Sequence, residues 1–227
     1  MNPKRPDRNL NVSLKWKPGY ESEFWHMEDD AVRMSVPLNG KTTGGSKNPR
    51  MELSETYHWS MVEGNNRMKA TVKIQKVIPG VNFDIGQILR DDGKIKFKSG
   101  KRCPLHVQLE YQTNSQKIYL KSRGAECKYK KTKIHTKYRV GEEFSYELAV
   151  VDGIMTYSTS KGDKVVVDDF NFLTDEYEGR GEKGYFKTGV YAQKSCSKLK
   201  DMSKCKLGEG PDDVTVVDFK NISVTHE

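Results

Sequence analysis

The sequence lacks long apolar runs. No segment approaches the roughly 18 consecutive apolar residues of a membrane-spanning helix, so a helical span is excluded and we expect no membrane partner. Apolar residues make up only 35% of the 227 residues, which describes a strongly solvated chain. At about 100–200 residues per domain, this length suits one large domain with its own core. No linker or repeat divides the chain. We therefore expect a single domain over residues 1–227, with residues 1–15 forming a flexible arm.

Cysteine is scarce: the chain has four, Cys103, Cys127, Cys196 and Cys205. They form no CxxC pair and have no histidine at metal-ligand spacing, which argues against a zinc site. Two disulfides are the favoured interpretation, with three pairings open, and four buried thiols in a cytosolic protein are the alternative. Disulfides require an oxidising compartment, so we expect a secreted protein. The start, MNPKRPDRNL, has no apolar leader, so a signal peptide is either absent or already removed.

Acidic residues are outnumbered, because 31 Asp and Glu stand against 39 Lys and Arg, which leaves a net charge of +8. Such an excess favours a polyanionic partner. Much of the positive charge lies in residues 121–139, KSRGAECKYKKTKIHTKYR. This segment suits contact with nucleic acid, a solvated hairpin or an anionic polysaccharide, and composition leaves the three open. No recognised nucleic-acid motif accompanies it, so we expect no nucleic-acid partner.

The hydrophobic pattern has a period of two, and no helical period of 3.6 is convincing. Gly-, Asn- and Asp-rich turns separate short runs of alternating or β-branched residues. The Asp-Gly of residues 152–153 and the Lys-Gly-Asp of residues 161–163 predict tight hairpins. About ten strands are predicted, from AVRMSVP, RMKATVKIQKVI, VNFDIGQIL, LHVQLEYQ, KIYLKS, FSYELAVVDG, IMTYSTS, KVVVDDF, GYFKTGVYAQ and VTVVDFKNISVTHE. An all-β sandwich or jelly roll of antiparallel sheets is therefore favoured over any α/β plan.

Three strands carry unusual polar side chains on one face. Strict alternation aligns Arg50, Glu52 and Ser54 in PRMELSE, Tyr185, Lys187, Gly189, Tyr191 and Gln193 in GYFKTGVYAQ, and Gln87 and Leu89 in DIGQIL. Any half-exposed antiparallel strand shows polar alternation without a function. Here, however, the combination of Tyr, Lys, Arg and Gln suits a carboxylated sugar. These strands predict a sheet whose concave side binds a ligand.

The motifs resemble those of a known family. YFKTGVYAQ resembles the YFKAGxYxQ motif of the alginate lyases of polysaccharide lyase family 7. PRMELSE resembles their RSELR or RTELRE motif, and GQIL lies where that family carries QIH. The likeness runs from about Trp25 to the C-terminus. It implies a β-jelly-roll sandwich with a concave groove that binds an anionic polysaccharide. It also implies endo-acting β-elimination of a polyuronate by a secreted monomer, with no cofactor and no metal.

The resemblance also implies roles for individual residues. Arg50 and Gln87 would hold the C6 carboxylate of the uronate, and Tyr191 would donate a proton to the leaving oxygen or, when deprotonated, remove the C5 proton. Glu52 would orient Arg50. The subsites would be lined by Lys187, Tyr185 and Gln193.

Two positions depart from the family pattern. Ser54 stands where the family has its second arginine, and Leu89 stands where the family has the histidine of QIH. In mannuronate and glucuronate the C5 hydrogen and the C4 oxygen lie on the same side of the ring, so one tyrosine can act as base and then as acid. In guluronate they lie on opposite sides, which calls for a second group. We therefore predict preference for mannuronate-rich alginate, with His58 as the candidate second base at the groove edge.

Three alternatives remain at this level. The first is a lyase of glucuronan or another glucuronate polymer, since glucuronate shares the mannuronate geometry. The second is a non-catalytic polyuronate-binding protein that lost turnover with the histidine. The third is nucleic-acid binding through residues 121–139, which predicts a steep loss of affinity with salt.

Overall fold

A computed structural model describes residues 21–38, 40, 48–91, 95–96, 102–103, 106–123, 129–171, 183–194 and 213–227. Within these ranges the chain forms sixteen β-strands and no helix. No helix in the described part is therefore long and apolar enough to cross a membrane. In chain order the strands are β1 (Trp25–Glu28), β2 (Ala31–Pro37), β3 (Arg50–Ser54), β4 (Trp59–Ser60), β5 (Asn65–Lys76), β6 (Phe83–Arg90), β7 (Ile95–Lys96), β8 (Arg102–Cys103), β9 (His106–Gln112), β10 (Lys117–Arg123), β11 (Tyr129–Lys137), β12 (Glu143–Val151), β13 (Ile154–Thr159), β14 (Lys164–Asn171), β15 (Lys183–Ala192) and β16 (Val214–His226).

The strands form two large antiparallel sheets. The first has the order β1-β2-β16-β5-β12-β13-β14. The second has the order β11-β10-β9-β6-β15-β3, with the short β4 also paired to β15. Strands β7 and β8 form a separate antiparallel pair. All-β architecture with two antiparallel sheets packed as a jelly-roll sandwich is thus confirmed.

The core lies between the two sheets and is made by the apolar alternate positions of their strands. Side chains that are fully buried there include Met34, Val72, Phe83, Leu109, Phe144, Tyr157, Phe186 and Phe219. Alternation leaves the intervening positions of each strand facing away from the core. The same pattern therefore supplies both a packed interior and an outward polar surface.

The predicted strands agree closely with the structure. Nine of them overlap β2, β5, β6, β9, β10, β12, β13, β15 and β16, and KVVVDDF lies within β14. The Asp152–Gly153 turn has φ values of 44° and 78°, the positive pair that a two-residue type I′ hairpin requires. The short strands β1, β4, β7 and β8 were not predicted because two to four residues carry too little periodicity.

Two predictions fall outside the described part of the chain. These are the flexible arm at residues 1–15 and the disulfides among Cys103, Cys127, Cys196 and Cys205, whose side chains the structure does not describe. Both stay predictions.

Tyr146 joins the two sheets directly beneath the centre of the second sheet. It extends from β12, is buried, and donates a hydrogen bond of 2.8 Å to the carbonyl oxygen of Ile85 in β6. Its hydroxyl also lies 2.9 Å from Thr188 Oγ1 in β15, and that hydroxyl lies 3.2 Å from the same carbonyl. Burial raises the pKa of Tyr146, so the phenol stays protonated and able to donate. This contact fixes the adjoining strands β6 and β15 from below.

Replacing Tyr146 by phenylalanine removes that hydroxyl while preserving the ring. We expect Y146F to lose about 1–3 kcal/mol of unfolding free energy, because the Ile85 carbonyl keeps only the longer hydrogen bond from Thr188 and the buried Thr188 hydroxyl loses a partner. Urea unfolding measures the loss. The control is Y57F, at a side chain that is 59% exposed, which should change stability by less than about 0.5 kcal/mol. Identical midpoints for Y146F and the wild type would contradict the assignment.

Candidate active site

Two rows of side chains cross the second sheet on the face turned away from the core, which we call the polar face. Residues directly opposite each other in an antiparallel pair point to the same side of a sheet, so the strand register defines each row. The lysine row consists of Ser54, Lys187, Gln87, Gln108, Lys121 and Lys131, on β3, β15, β6, β9, β10 and β11. The tyrosine row consists of Arg50, Tyr191, Asp84, Glu110, Tyr119 and Lys133, on the same six strands. Both rows run across the strands, as a site for an extended polymer requires.

A bulge in β6 brings polar side chains into both rows. Asp84 and Gln87 are three residues apart, so strict alternation would put them on opposite faces. The pairing of β6 with β9 shifts by one residue between Asp84 and Gly86, which returns both side chains to the polar face. Gly86 points into the core instead, where an added Cβ would come within 2.7 Å of the Tyr146 hydroxyl. The bulge and the Tyr146 contact therefore depend on each other.

Glu52 organises the β3 side of the polar face. It is 6% exposed, and its Oε1 accepts a hydrogen bond from Gln87 Nε2. Its Oε2 lies 3.5 Å from Arg50 Nε and 3.9 Å from Lys187 Nζ. Burial lowers the pKa of Lys187, while the neighbouring Glu52 carboxylate acts in the opposite direction. One buried carboxylate thus holds an amide and two cations in place.

Gly189 explains why β3 and β15 can lie so close beside Glu52. It is the cross-strand partner of Glu52 and has a φ of 148°. A Cβ added at Gly189 would collide with the carbonyl oxygen of Met51 and with Glu52 Cα. Only glycine fits this close approach of two backbones. The glycine of YFKTGVYAQ is therefore required by the contact that places Glu52 beside the β15 side chains.

Replacing Glu52 by glutamine, E52Q, removes the charge and keeps the shape. We expect a loss of roughly 3 kcal/mol of unfolding free energy, because the buried Lys187 then lies beside a neutral amide in place of the Glu52 carboxylate. Urea unfolding at neutral pH measures it. E142Q, at a solvent-exposed glutamate paired with Lys161, is the control and should unfold like the wild type. An E52Q variant as stable as the control would contradict the role given to Glu52.

Two further buried acidic residues, Asp84 and Glu110, are cross-strand partners in the tyrosine row. Asp84 Oδ2 accepts hydrogen bonds from Gln108 Nε2 at 2.6 Å and from Gln193 Nε2 at 2.8 Å. Glu110 Oε2 pairs with Lys121 Nζ. These buried carboxyl groups therefore hold the amide and ammonium groups of the polar face from below.

Burial controls the ionisation of this cluster. Burial raises the pKa of Asp84 well above its usual value; the positive charge of Lys121 acts against this rise, and the negative charge of Glu52 adds to it. Burial also lowers the pKa of Lys121, against the attraction of Asp84. The buried acid and the buried lysine are thus both displaced toward their uncharged forms.

Tyr191 is half-buried in the tyrosine row, between Arg50 and Asp84. Arg50 Cζ lies 5.9 Å from the centroid of its ring, and Asp84 is its cross-strand partner on the other side. The Tyr191 hydroxyl makes no hydrogen bond to any residue that the structure describes, so it is available to a ligand. Tyr185 lies further along the same face, with Lys187 Nζ 5.8 Å from its ring centroid, and burial raises the pKa of Tyr185.

His58 and Leu89 lie at the Tyr185 end of the polar face. Leu89 is the cross-strand partner of Tyr185. His58, between β3 and β4, stacks on the Tyr185 ring with centroids 5.1 Å apart, and its Nδ1 lies 2.9 Å from Asp91 Oδ1. Because Tyr185 and Tyr191 lie six positions apart on β15, His58 is separated from Tyr191 by most of that strand.

The structure brings the predicted site residues together. The polar face carries Arg50, Glu52, Ser54, Gln87, Leu89, Tyr185, Lys187, Tyr191 and Gln193, with His58 at its end. Sequence reasoning missed Asp84, Gln108 and Glu110. The alternation in HVQLEYQ was a usable signal for Gln108 and Glu110, whereas the bulge hid Asp84.

Among the described residues, no group of three His, Cys, Asp or Glu side chains could hold a metal ion.

Comparison with known proteins agrees with the fold and the motifs. A family model described as alginate lyase matches residues 3–226. An alginate lyase from Pseudomonas aeruginosa is 24% identical with a TM-score of 0.71, over 92% of this chain and 88% of that chain. The marine family 7 alginate lyase from Zobellia galactanivorans is 18% identical with a TM-score of 0.64, over 96% and 87%. A variant of the family 7 alginate lyase A1-II′, in complex with substrate (GGMG), is 21% identical with a TM-score of 0.69, over 92% and 84%. No protein of curated function matches the sequence.

The two-sheet fold and the cationic polar face define a β-sandwich of the class that includes polysaccharide lyases. More particularly, the chain belongs to the alginate lyase family. The resemblance to polysaccharide lyase family 7, first drawn from three short motifs, is thereby confirmed.

Proposed function

We propose that the chain is an endo-acting lyase that cleaves mannuronate-rich alginate by β-elimination. The observation that carries the proposal is the placement of Arg50, Tyr191 and Gln87 on one face, with the Tyr191 hydroxyl unbonded among the described residues. Family membership and the substrate bound by the A1-II′ variant support an alginate substrate. A large polymer is degraded outside the cell, which accords with the secretion expected from the even number of cysteines.

The chemistry requires that a carboxylate be neutralised. The C5 proton is weakly acidic because the C6 carboxylate beside it is already charged. Arg50 binds that carboxylate by charge-assisted hydrogen bonds. Gln87 has two amide N–H groups, one of which is held by Glu52, so the second is presented to the substrate. These donors stabilise the negative charge that develops on the C6 oxygens as the C5–H bond breaks.

Tyr191 supplies the proton transfers. Its phenolate takes the C5 proton, the electrons of the C5–H bond form the C4–C5 double bond, and the glycosidic oxygen leaves C4 with the phenol proton. In mannuronate both groups lie on the same side of the ring, so Tyr191 can reach both. Leu89 stands where the family pattern has a histidine and cannot transfer a proton, which underlies the proposed weakness toward guluronate. Glucuronan is the alternative substrate, because glucuronate shares the mannuronate geometry.

The lysine row extends the proposed substrate site. Lys121 and Lys131 lie two and three strands from Gln87 in the same row. Neighbouring strands are about 4.8 Å apart, which is comparable to the length of one pyranose residue. The exposed Lys131 therefore lies where the carboxylate of a further uronate along the chain would pass, whereas Lys121 is buried against Glu110 beneath that path. This assigns part of the basic segment 121–139 to polysaccharide binding rather than to nucleic acid.

Replacing Tyr191 by phenylalanine tests the proposal. General acid–base groups contribute about 10²–10⁴-fold to rate, so Y191F should form the C4–C5 double bond at least 100-fold more slowly on polymannuronate. Affinity for polymannuronate should fall by less than about threefold, because Arg50 and Gln87 remain. Ultraviolet absorbance of the unsaturated product measures the rate, and calorimetric titration measures the affinity. Y57F is the control, since Tyr57 is exposed and lies outside the two rows.

The outcomes separate the rival functions. Binding without cleavage by the wild type would identify a non-catalytic polyuronate-binding protein. Cleavage of glucuronan but not of polymannuronate would select the alternative substrate. Equal rates for Y191F and the wild type would remove Tyr191 from the mechanism. Release of long oligosaccharides early in the reaction would distinguish endo from exo action.

A further inference from the structure

The buried carboxyl groups of the polar face differ in whether a cation lies beside them. Glu52 faces Arg50 and Lys187. Glu110 pairs with Lys121. Asp84 has only amide partners among the described residues, although it is 1% exposed. It is also the cross-strand partner of Glu110, so an ionised Asp84 would meet a like charge on the neighbouring strand in a buried site.

The two oxygens of Asp84 have different surroundings. Oδ2 accepts one hydrogen bond from Gln108 and one from Gln193, which occupies both of its lone pairs. Oδ1 is buried and has no hydrogen-bond partner among the described residues. An ionised Oδ1 without a donor is costlier to bury than a neutral hydroxyl, so this arrangement favours the acid form, with Oδ2 as its carbonyl oxygen and Oδ1 as its hydroxyl.

We propose that Asp84 is a positioning residue that works in its neutral form, with its proton on Oδ1. It fixes the amide groups of Gln108 and Gln193 on the polar face beside Tyr191. It also keeps the β6 side of Tyr191 free of negative charge. This proposal rests on the proposed function of the same site.

A neutral Asp84 suits the proposed reaction, because the reaction brings negative charge close to Asp84. The substrate carries one carboxylate for each sugar, and Tyr191 becomes a phenolate when it acts as base. An ionised Asp84 beside Tyr191 would repel both. Ionisation of Asp84 should therefore lower activity as the pH rises.

The titratable and charged groups on the same face as Asp84 come from five other strands of the sheet, of which β9 and β15 adjoin β6. They are Arg50 and Glu52 on β3, Tyr191 on β15, Glu110 on β9, Lys121 and Tyr119 on β10, and Lys131 and Lys133 on β11. Glu52 and Glu110 oppose ionisation of Asp84, and the cations oppose its protonation. The nearest of those cations, Lys121, is already paired with Glu110. Burial decides the balance in favour of the acid and raises the pKa of Asp84.

The variant D84N provides the test, because asparagine keeps an oxygen for the two glutamines and cannot ionise. The measurement is the pH profile of kcat/KM on polymannuronate for the wild type and D84N. We expect the wild type to show an alkaline decline that D84N lacks, so that the ratio of D84N to wild type rises at least tenfold between neutral and alkaline pH. Parallel profiles would overturn the proposal. A D84N variant more than 100-fold slower at every pH would also overturn it, since the charge would then be required.

The control is D218N. Asp218 is a buried carboxylate on β16 in the first sheet, held by Arg33 at 2.7 and 2.9 Å and by Gln75 at 2.6 Å. Its pKa is lowered by these partners although burial acts against them. The same Asp to Asn change there should give a pH profile parallel to that of the wild type.

A second readout does not depend on catalysis. The unfolding free energy of wild type minus that of D84N should fall as pH rises from about 4 through the folded-state pKa, because only folded Asp84 retains its proton in that range. A difference that is constant with pH would overturn the proposal even in an inactive protein. Absence of cleavage by the wild type, with the predicted slope present, would instead reject the proposed function alone.

Discussion

The organisation of the polar face depends on the burial of carboxyl groups beneath cations and amides. Glu52 holds Gln87, Arg50 and Lys187, and Asp84 holds the amides of Gln108 and Gln193. Charged groups that leave water must be paired, so each of these side chains has a fixed position before a ligand arrives. A preorganised set of donors is what stabilisation of developing negative charge requires. The groups that could meet a uronate are therefore positioned by groups that never touch it.

The sandwich makes this arrangement possible by supporting the sheet from below. Tyr146 crosses the core from the first sheet to the Ile85 carbonyl, at the bulge that turns Asp84 and Gln87 to the same face. On the other side, Gly189 permits the close approach of β3 and β15 that brings Glu52 into the site. Core packing and site geometry are thus linked through a few backbone irregularities rather than through regular strand pairing.

Much of this could be predicted from sequence, for identifiable reasons. Alternation in long strands gave the correct faces of β3 and β15, so Arg50, Glu52, Lys187 and Tyr191 were expected together, as the structure shows. Asp84 could not be expected there, because a bulge inverts the alternation and its position follows from the core contact with Tyr146. The ion pair of Glu110 with Lys121 was missed because contacts between strands depend on register, which a single strand does not encode. Strand β11 was not predicted separately, because the segment 121–139 was interpreted from its positive charge, although β11 completes both rows.

Because Leu89 cannot transfer a proton, the proposed elimination depends on a single tyrosine, which requires that the C5 hydrogen and the C4 oxygen lie on the same side of the ring. The measurement that tests this most directly is the initial rate of double-bond formation by the wild type on polymannuronate and polyguluronate under the same conditions. We expect the initial rate on polymannuronate to be at least tenfold higher than the initial rate on polyguluronate. A polyguluronate rate equal to or above the polymannuronate rate would contradict it.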